Sequence, residues 1–411
     1  MLGLSRPVLL VLLAAATMLT FSMGIRQSLG LLMQPLTRDI GVSVANFTLA
    51  IAAQNLIWGF TQPLAGGMTV RYGFRAVMTV GALCYAAGML ILALAQGQLG
   101  VALGAGVFIG LGLSCTASAI AMSVGAKIVS PAQRSMILGV LSAAGSVDAL
   151  ISAPIGQWVS TGFGWRMGAF AFLALACIMI PAAWIAGRVD RMAPSEAPTR
   201  RDDSTALQAL QHAVREPSFM IISCTYFVCG IQLVFLTTHL PSYLAICGMD
   251  PMLSAQALGV IGGFNVLGSL FFGWAGGRWN KLALLGLIYV ARSAVLAWYF
   301  VLPPTPGSTL VFGAIIGFLW LGVAPLVAGA VAEMFGLKWQ AMLQGVAFMG
   351  HQVGSFFGAF GGGLLFEAAG TYDMAWRAAV ATGLVAGLMQ IACAFVRPSE
   401  QIARQRQLAG A

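Results

Sequence analysis

The stretch RVDRMAPSEAPTRRDDS, residues 188–204, decides how the remaining chain is read. It opens the only long hydrophilic run, 188–216, in a chain of 411 residues of which 59% are hydrophobic and 8% charged. Soluble proteins carry about 25% charged residues, so this inventory cannot build a water-facing surface. A cytosolic enzyme and a nucleic-acid module are both excluded, and the mean hydropathy of +0.89 agrees. On either side lie apolar stretches near the ~20 residues that a helix needs to cross a bilayer. Read between charge and turn signals, they fall at 7–34, 45–68, 77–96, 99–124, 135–158 and 167–187, then at 218–246, 253–276, 282–301, 308–332, 341–365 and 375–396. This predicts an all-α polytopic membrane protein of twelve transmembrane helices in two six-helix halves, 1–187 and 218–411, with a linker 188–217 and a short tail. The apolar run behind Arg6 is read as the first permanent helix, since no cleavable small-residue site and soluble domain follow it. In the linker, TALQALQHAV spaces Leu207, Leu210 and Val214 along one face, which predicts a short helix lying on the membrane surface.

The net charge of +9, from 21 Lys and Arg against 12 Asp and Glu, follows from cytoplasmic loops being rich in Lys and Arg. Nucleic acid is not needed to explain it. A cytoplasmic N-terminus puts Arg6, Arg71, Arg75, Lys127, Arg134, Arg188, Arg191, Arg200, Arg201, Arg215, Arg278, Lys281, Lys338, Arg397, Arg404 and Arg406 on that side, and only Arg38, Arg166 and Arg377 outside it. The expectation is a multi-pass inner-membrane protein, monomeric, with both termini and the linker cytoplasmic. Trp158, Trp165, Trp274, Trp279, Trp339 and Trp376 sit at predicted helix ends, as an aromatic belt requires, whereas Trp58 and Trp320 fall mid-span. The 7 cysteines, mostly inside apolar runs, read as packing residues.

The halves repeat. Phe21, Gly24, Ile25 and Pro35 match Phe227, Gly230, Ile231 and Pro241, each 206 residues on, and Met136, Gly139 and Gly156 match Met342, Gly345 and Gly362 in the same register. Two parallel repeats place a substrate site near mid-membrane, between them. The loop GGMTVRYGFR, 66–75, resembles the cytoplasmic signature of the major facilitator superfamily: Gly66, Arg71, Gly73 and Arg75 fit the gating motif, and Val70 stands at its acidic position. GWAGGRWNK, 273–281, is a degenerate second copy. GIRQSLGLL, QNLIWG and GHQVGSFFGAFGGG further resemble bacterial members near the monocarboxylate and oxalate/formate transporters. The resemblance implies alternating access and a small-molecule cargo. The basic residue on helix 8 and the Lys on helix 11 that it also implies are absent, where Asn265 and His351 stand instead. A monoanion or a larger substrate is therefore expected over an oxalate-like dianion.

Arg26, in helix 1, costs about 2.5–3.5 kcal/mol at mid-membrane on insertion scales and so needs a partner. It is read as a carboxylate clamp, against snorkelling or a pairing with Asp148. The repeat register places Gln232 opposite it. Arg292 in helix 9 is either structural or a substrate contact. Asp148 lies on a polar face with Ser142, Gly145 and Ser152, and either couples a proton or stays ion-paired. His351 is a substrate donor, a proton site or a packing residue, on a face with Gly354, Gly358 and Gly361. Gln27, Gln54, Asn55, Gln352, Thr237 and Thr238 complete the polar candidates, with Trp58 and Trp320 as aromatic walls. Met349 and His351 lie about 200° apart around a helix, so no metal site forms, and no Walker loop, zinc motif or nucleophile elbow points to a cofactor or to an enzyme.

These residues predict a secondary active transporter of a small organic anion, a carboxylate first, by proton symport or anion exchange. Proton-coupled efflux of drugs or metabolites is the alternative, favoured by a cavity richer in aromatics than in charges. A non-transporting membrane sensor is an alternative of another class.

Overall fold

A computed structural model describes residues 4–147, 152–192 and 204–396, and these residues are helical almost throughout, with no strand among them. Twelve membrane-length passes follow one another among the described residues. Passes 1 to 6 are Arg6–Ile40, the two arms of Val44–Ala93, Gln98–Ile128, the pieces Pro131–Ser146 and Ser152–Phe163, and Trp165–Arg191. Passes 7 to 12 are Pro217–Ile246, Pro251–Ala275, Lys281–Val301, Pro306–Phe335, the run from Gln340 to Ala369, and Asp373–Val396. Asp148 lies outside the described residues.

The 50-residue run Val44–Ala93 is two helical arms that meet at Gly73, each long enough to cross a bilayer core. It serves as passes 2 and 3 because Gly73 (φ +80°), in the left-handed region that favours glycine, turns the chain back. The Asp190 carboxylate then accepts from the Phe74 and Arg75 amides, 2.9 Å each, and caps the first turn of pass 3. Pro7, Pro131, Pro217 and Pro306 open their helices where a missing N–H costs nothing. The linker helix Ala206–Arg215 starts with a capping box of Thr205 and Gln208. It rests on Ala209 and Ala213, with the His212 ring 5.7 Å from Phe335, and exposes Leu207 and Val214.

In lipid, helices associate through close packing, so small residues mark where they meet. Pass 11 lies on pass 7 along Gly354 and Gly358, which back onto Phe227 and Ile231. Between the halves, pass 2 packs on pass 11, pass 5 on pass 8, and pass 4 on passes 10 and 11. These cross-half contacts crowd toward the end carrying Arg71, Arg75, Lys127, Arg134 and Lys281, here called the basic end. A Cβ on Gly66 would strike the Ala341 and Met342 backbone, one on Gly345 would lie 2.9 Å from Pro63 N, and one on Gly139 would lie 2.6 Å from Gly273 Cα. Farther along pass 8, Gly259, Gly262 and Gly263 face open space. The halves therefore form a wedge, closed at the basic end and open toward the far end.

Candidate functional site

The apex of that wedge gathers several of the described mid-membrane polar residues. Arg26 lies on pass 1 just before the helix tightens into the 3-10 turn Leu29–Leu32. Its Nη2 donates to Asn55 Oδ1 at 2.7 Å, and its guanidinium sits 5.2 Å above the Trp58 ring, both on pass 2. Asn55 and Trp58 are three residues apart, so they share one helix face. From the other half, Gln352 Nε2 donates to the Asn55 carbonyl at 3.0 Å. One turn away Phe348 meets Trp58 at 4.6 Å between ring centroids, and the His351 ring stacks on Phe348 at 5.5 Å and 9°. Tyr226 of pass 7 closes the group, 4.9 Å from His351. His351 Nδ1 lies 3.4 Å from both Gln352 Oε1 and Ser355 Oγ.

The structure thus brings together Arg26, Asn55, His351 and Gln352, drawn from both halves. Gln27 is next to Arg26 and exposed. Gln232 is not opposite Arg26: it is buried inside the second half, donating to Ser293 Oγ at 3.1 Å and the Ala379 carbonyl at 2.9 Å. The repeat register fixes a residue's depth along the helix, but pass 7 turns this position toward passes 9 and 12. Arg292 is 1% exposed and holds backbone: Nη2 donates to the carbonyls of Leu319 (2.7 Å) and Trp320 (3.2 Å), and Nη1 lies 3.2 Å from Cys229 Sγ. Gln54 is likewise structural, donating to the Ala105 carbonyl. The Trp58 ring lies between Arg26 and Phe348, whereas the Trp320 carbonyl is spent on Arg292. Thr237 and Thr238 are exposed on the far-end half of pass 7.

Phe348 and Tyr226 are the members of this cluster that the sequence does not single out. Phe348 stands three residues before His351, the single signal available, and an aromatic in an apolar run otherwise reads as lipid-facing. At the basic end, Gly66 provides the close approach to pass 11 and Gly73 the turn. Arg71 lies 5.2 Å above Tyr72, and Arg75 stacks 4.6 Å from Trp184. Asp190, more than 100 residues on, supplies a carboxylate to a loop whose own acidic position holds Val70.

The chain matches the Major Facilitator Superfamily over residues 10–359 and belongs to it. It is a transporter of that family, built on the family's twelve-pass, two-half fold. Among curated relatives, an MFS-type transporter of Bacillus subtilis (YcxA, described as uncharacterized) is 23% identical over 83% of this chain and 84% of that one. Monocarboxylate transporter 13 of Rattus norvegicus is 21% identical over 79% and 73%. Monocarboxylate transporter 3 of the same species is 26% identical over 62% of this chain and 53% of that one. Of solved structures, the E. coli fucose:proton symporter superposes with a TM-score of 0.70 at 14% identity, covering 94% of this chain and 98% of that chain, which shows the shared fold.

Proposed function

We propose that this transporter carries a small organic monoanion, a carboxylate first, held by Arg26 at the apex of the wedge. One observation carries the reading: a guanidinium from the first half stands beside Asn55 and over Trp58, where the second half contributes His351 and Gln352. A carboxylate seated there accepts two parallel N–H bonds from Arg26 and further bonds from the amide and imidazole N–H groups. The rings of Trp58, Phe348 and Tyr226 give its apolar part a surface. The monocarboxylate transporters among the relatives support the same class. The aromatic share of the site favours a second reading, proton-coupled efflux of larger apolar compounds. A thermal-shift panel of carboxylates and drug-like cations separates the two: stabilisation by carboxylates alone supports the first, and by the cations alone the second.

The proposal includes an inner-membrane monomer with half boundaries 1–187 and 218–411, both termini and the linker 188–217 in the cytoplasm, and Gly66, Arg71, Gly73 and Arg75 as the cytoplasmic gating loop. A single cysteine placed at Leu207, on a background without the other exposed cysteines, should then stay unlabelled by an impermeant maleimide in intact cells and react fully in inverted vesicles. Efficient labelling from outside reverses the topology.

Coupling falls to Asp148 or His351, because a coupling group must change protonation between the two access states. In proteoliposomes, Asp148→Asn or His351→Gln should lose accumulation driven by a pH gradient by at least about tenfold and keep exchange of labelled for unlabelled substrate. If both variants accumulate substrate with wild-type pH dependence, anion exchange replaces proton symport.

A further inference from the structure

Passes 4 and 10 are both broken, and at equivalent places in the repeat. Pass 4 breaks at Ala117, which leaves the helical region (φ −81°, ψ −168°) between Ile109–Thr116 and Ser118–Ile128. Pass 10 breaks at Leu321 and Gly322, between Pro306–Trp320 and Val323–Phe335. Adding the 206-residue register to 117 gives 323, the first residue after the second break. Each break leaves last-turn carbonyls without an amide four residues on, and in the middle of a membrane those groups need another donor.

A buried side chain answers at each break. Gln62, 1% exposed on pass 2, donates Nε2 to the Ser114 carbonyl at 2.8 Å, and its Oε1 accepts from Trp58 Nε1 at 2.9 Å. Trp58 in turn meets Phe348 of the other half. Arg292 donates to Leu319 and Trp320, a cation at the negative end of a half-helix. Asn265 Oδ1 accepts from the Leu321 amide at 2.9 Å, and the Leu321 carbonyl faces Ser142 Oγ of the other half at 3.4 Å, beside the Ser142 to Ser269 contact at 3.1 Å. In the first half Gln62 thus binds a carbonyl of the break and fixes Trp58, which touches the opposite half; in the second Arg292 holds the two carbonyls next to Leu321, whose own carbonyl faces the opposite half.

We propose that Gln62 and Arg292 are paired positioning residues that tie the breaks of passes 4 and 10 to the cross-half contacts closing the basic end. They set the balance between the two access states and do not hold substrate. The inference rests on the chain being an alternating-access transporter, and not on Arg26 as the anion's partner. Losing either residue releases a break and its cross-half contact together, so the state closed at the basic end loses population.

The test needs no ligand. Spin labels on Thr161→Cys and Gln256→Cys, exposed in the far-end halves of passes 5 and 8, report the width of the wedge by pulsed electron–electron distance measurement in lipid nanodiscs. Cys84, Cys177, Cys224 and Cys247 are replaced by serine, and the buried Cys115, Cys229 and Cys393 are kept. The unsubstituted pair should show one dominant long distance. Gln62→Leu and Arg292→Met should each raise the ratio of short to long distances by about tenfold, the scale of one or two lost buried hydrogen bonds. Gln232→Leu removes an equally buried, equally bonded glutamine that touches neither break, and should leave the ratio unchanged. The measurement is made without ligand, which separates this inference from the substrate reading. If Arg292→Met does not fold, Ser142→Ala carries the same expectation for pass 10. Distributions in Gln62→Leu and Arg292→Met (or Ser142→Ala) that match the unsubstituted pair overturn the proposal, and so does an equal shift in Gln232→Leu.

Discussion

Arg26→Ala should abolish uptake, by roughly 10²-fold or more, in a protein that still inserts and folds. The fold of the first half does not depend on that side chain: pass 1 packs on passes 5 and 6 and buries Met18, Leu19 and Ile25. What the guanidinium supplies is local, a hydrogen bond to Asn55 and a cation over Trp58 at the meeting of the halves. A carboxylate bound there loses charge-assisted hydrogen bonds worth about 3 kcal/mol when the side chain is truncated, which is the hundredfold. Arg26→Lys keeps the charge and loses the planar fork, so it should transport with weaker apparent affinity. Uptake into proteoliposomes, with detergent-solution monodispersity as the check on folding, measures both. Wild-type uptake by a folded Arg26→Ala protein contradicts the assignment.

Gly139→Leu should be nearly as damaging for a different reason. Pass 5 and pass 8 approach backbone to backbone at Gly139 and Gly273, where a Cβ on Gly139 would lie 2.6 Å from Gly273 Cα. No rotamer rescues a clash with main chain, so the basic end cannot close and the cycle stops. The contact lies between halves, so each half still packs. Uptake should fall by more than about tenfold, and a cysteine at Gln133, near the basic-end start of pass 5, should become more reactive. Gly139→Ala, with one methyl, should be milder. Unimpaired transport by Gly139→Leu would mean that the halves do not meet here during the cycle.

The fold was legible because apolar length, charge placement and repeat register all point to the same twelve passes. Arg26, Asn55, His351 and Gln352 were legible too, since a polar group in a mid-membrane run is costly enough to need a reason. The aromatic part of the site was not. Phe348 and Tyr226 cost nothing facing lipid, so only the packing of pass 11 on passes 2 and 7 singles them out. Gln232 shows the limit of the register, which transfers depth but not the direction a side chain takes. Asp190 shows another: the sequence places Val70 where an acid is expected, and the carboxylate that caps pass 3 comes from the end of pass 6. The breaks at Ala117 and Leu321 carry no proline at the break itself, so no local signal separates them from continuous helix, and Arg292 and Gln62 become interpretable only beside the carbonyls they hold.

Matched ligands show whether Arg26 binds the negative group of the cargo. The strongest carboxylate from the thermal-shift panel is titrated alongside its primary amide into wild-type and Arg26→Ala protein, both in the same lipid and buffer. The carboxylate should stabilise the wild type, the amide should do so at least about tenfold more weakly, and neither should stabilise Arg26→Ala. Equal stabilisation by the amide, or by the carboxylate in Arg26→Ala, would contradict that role for Arg26.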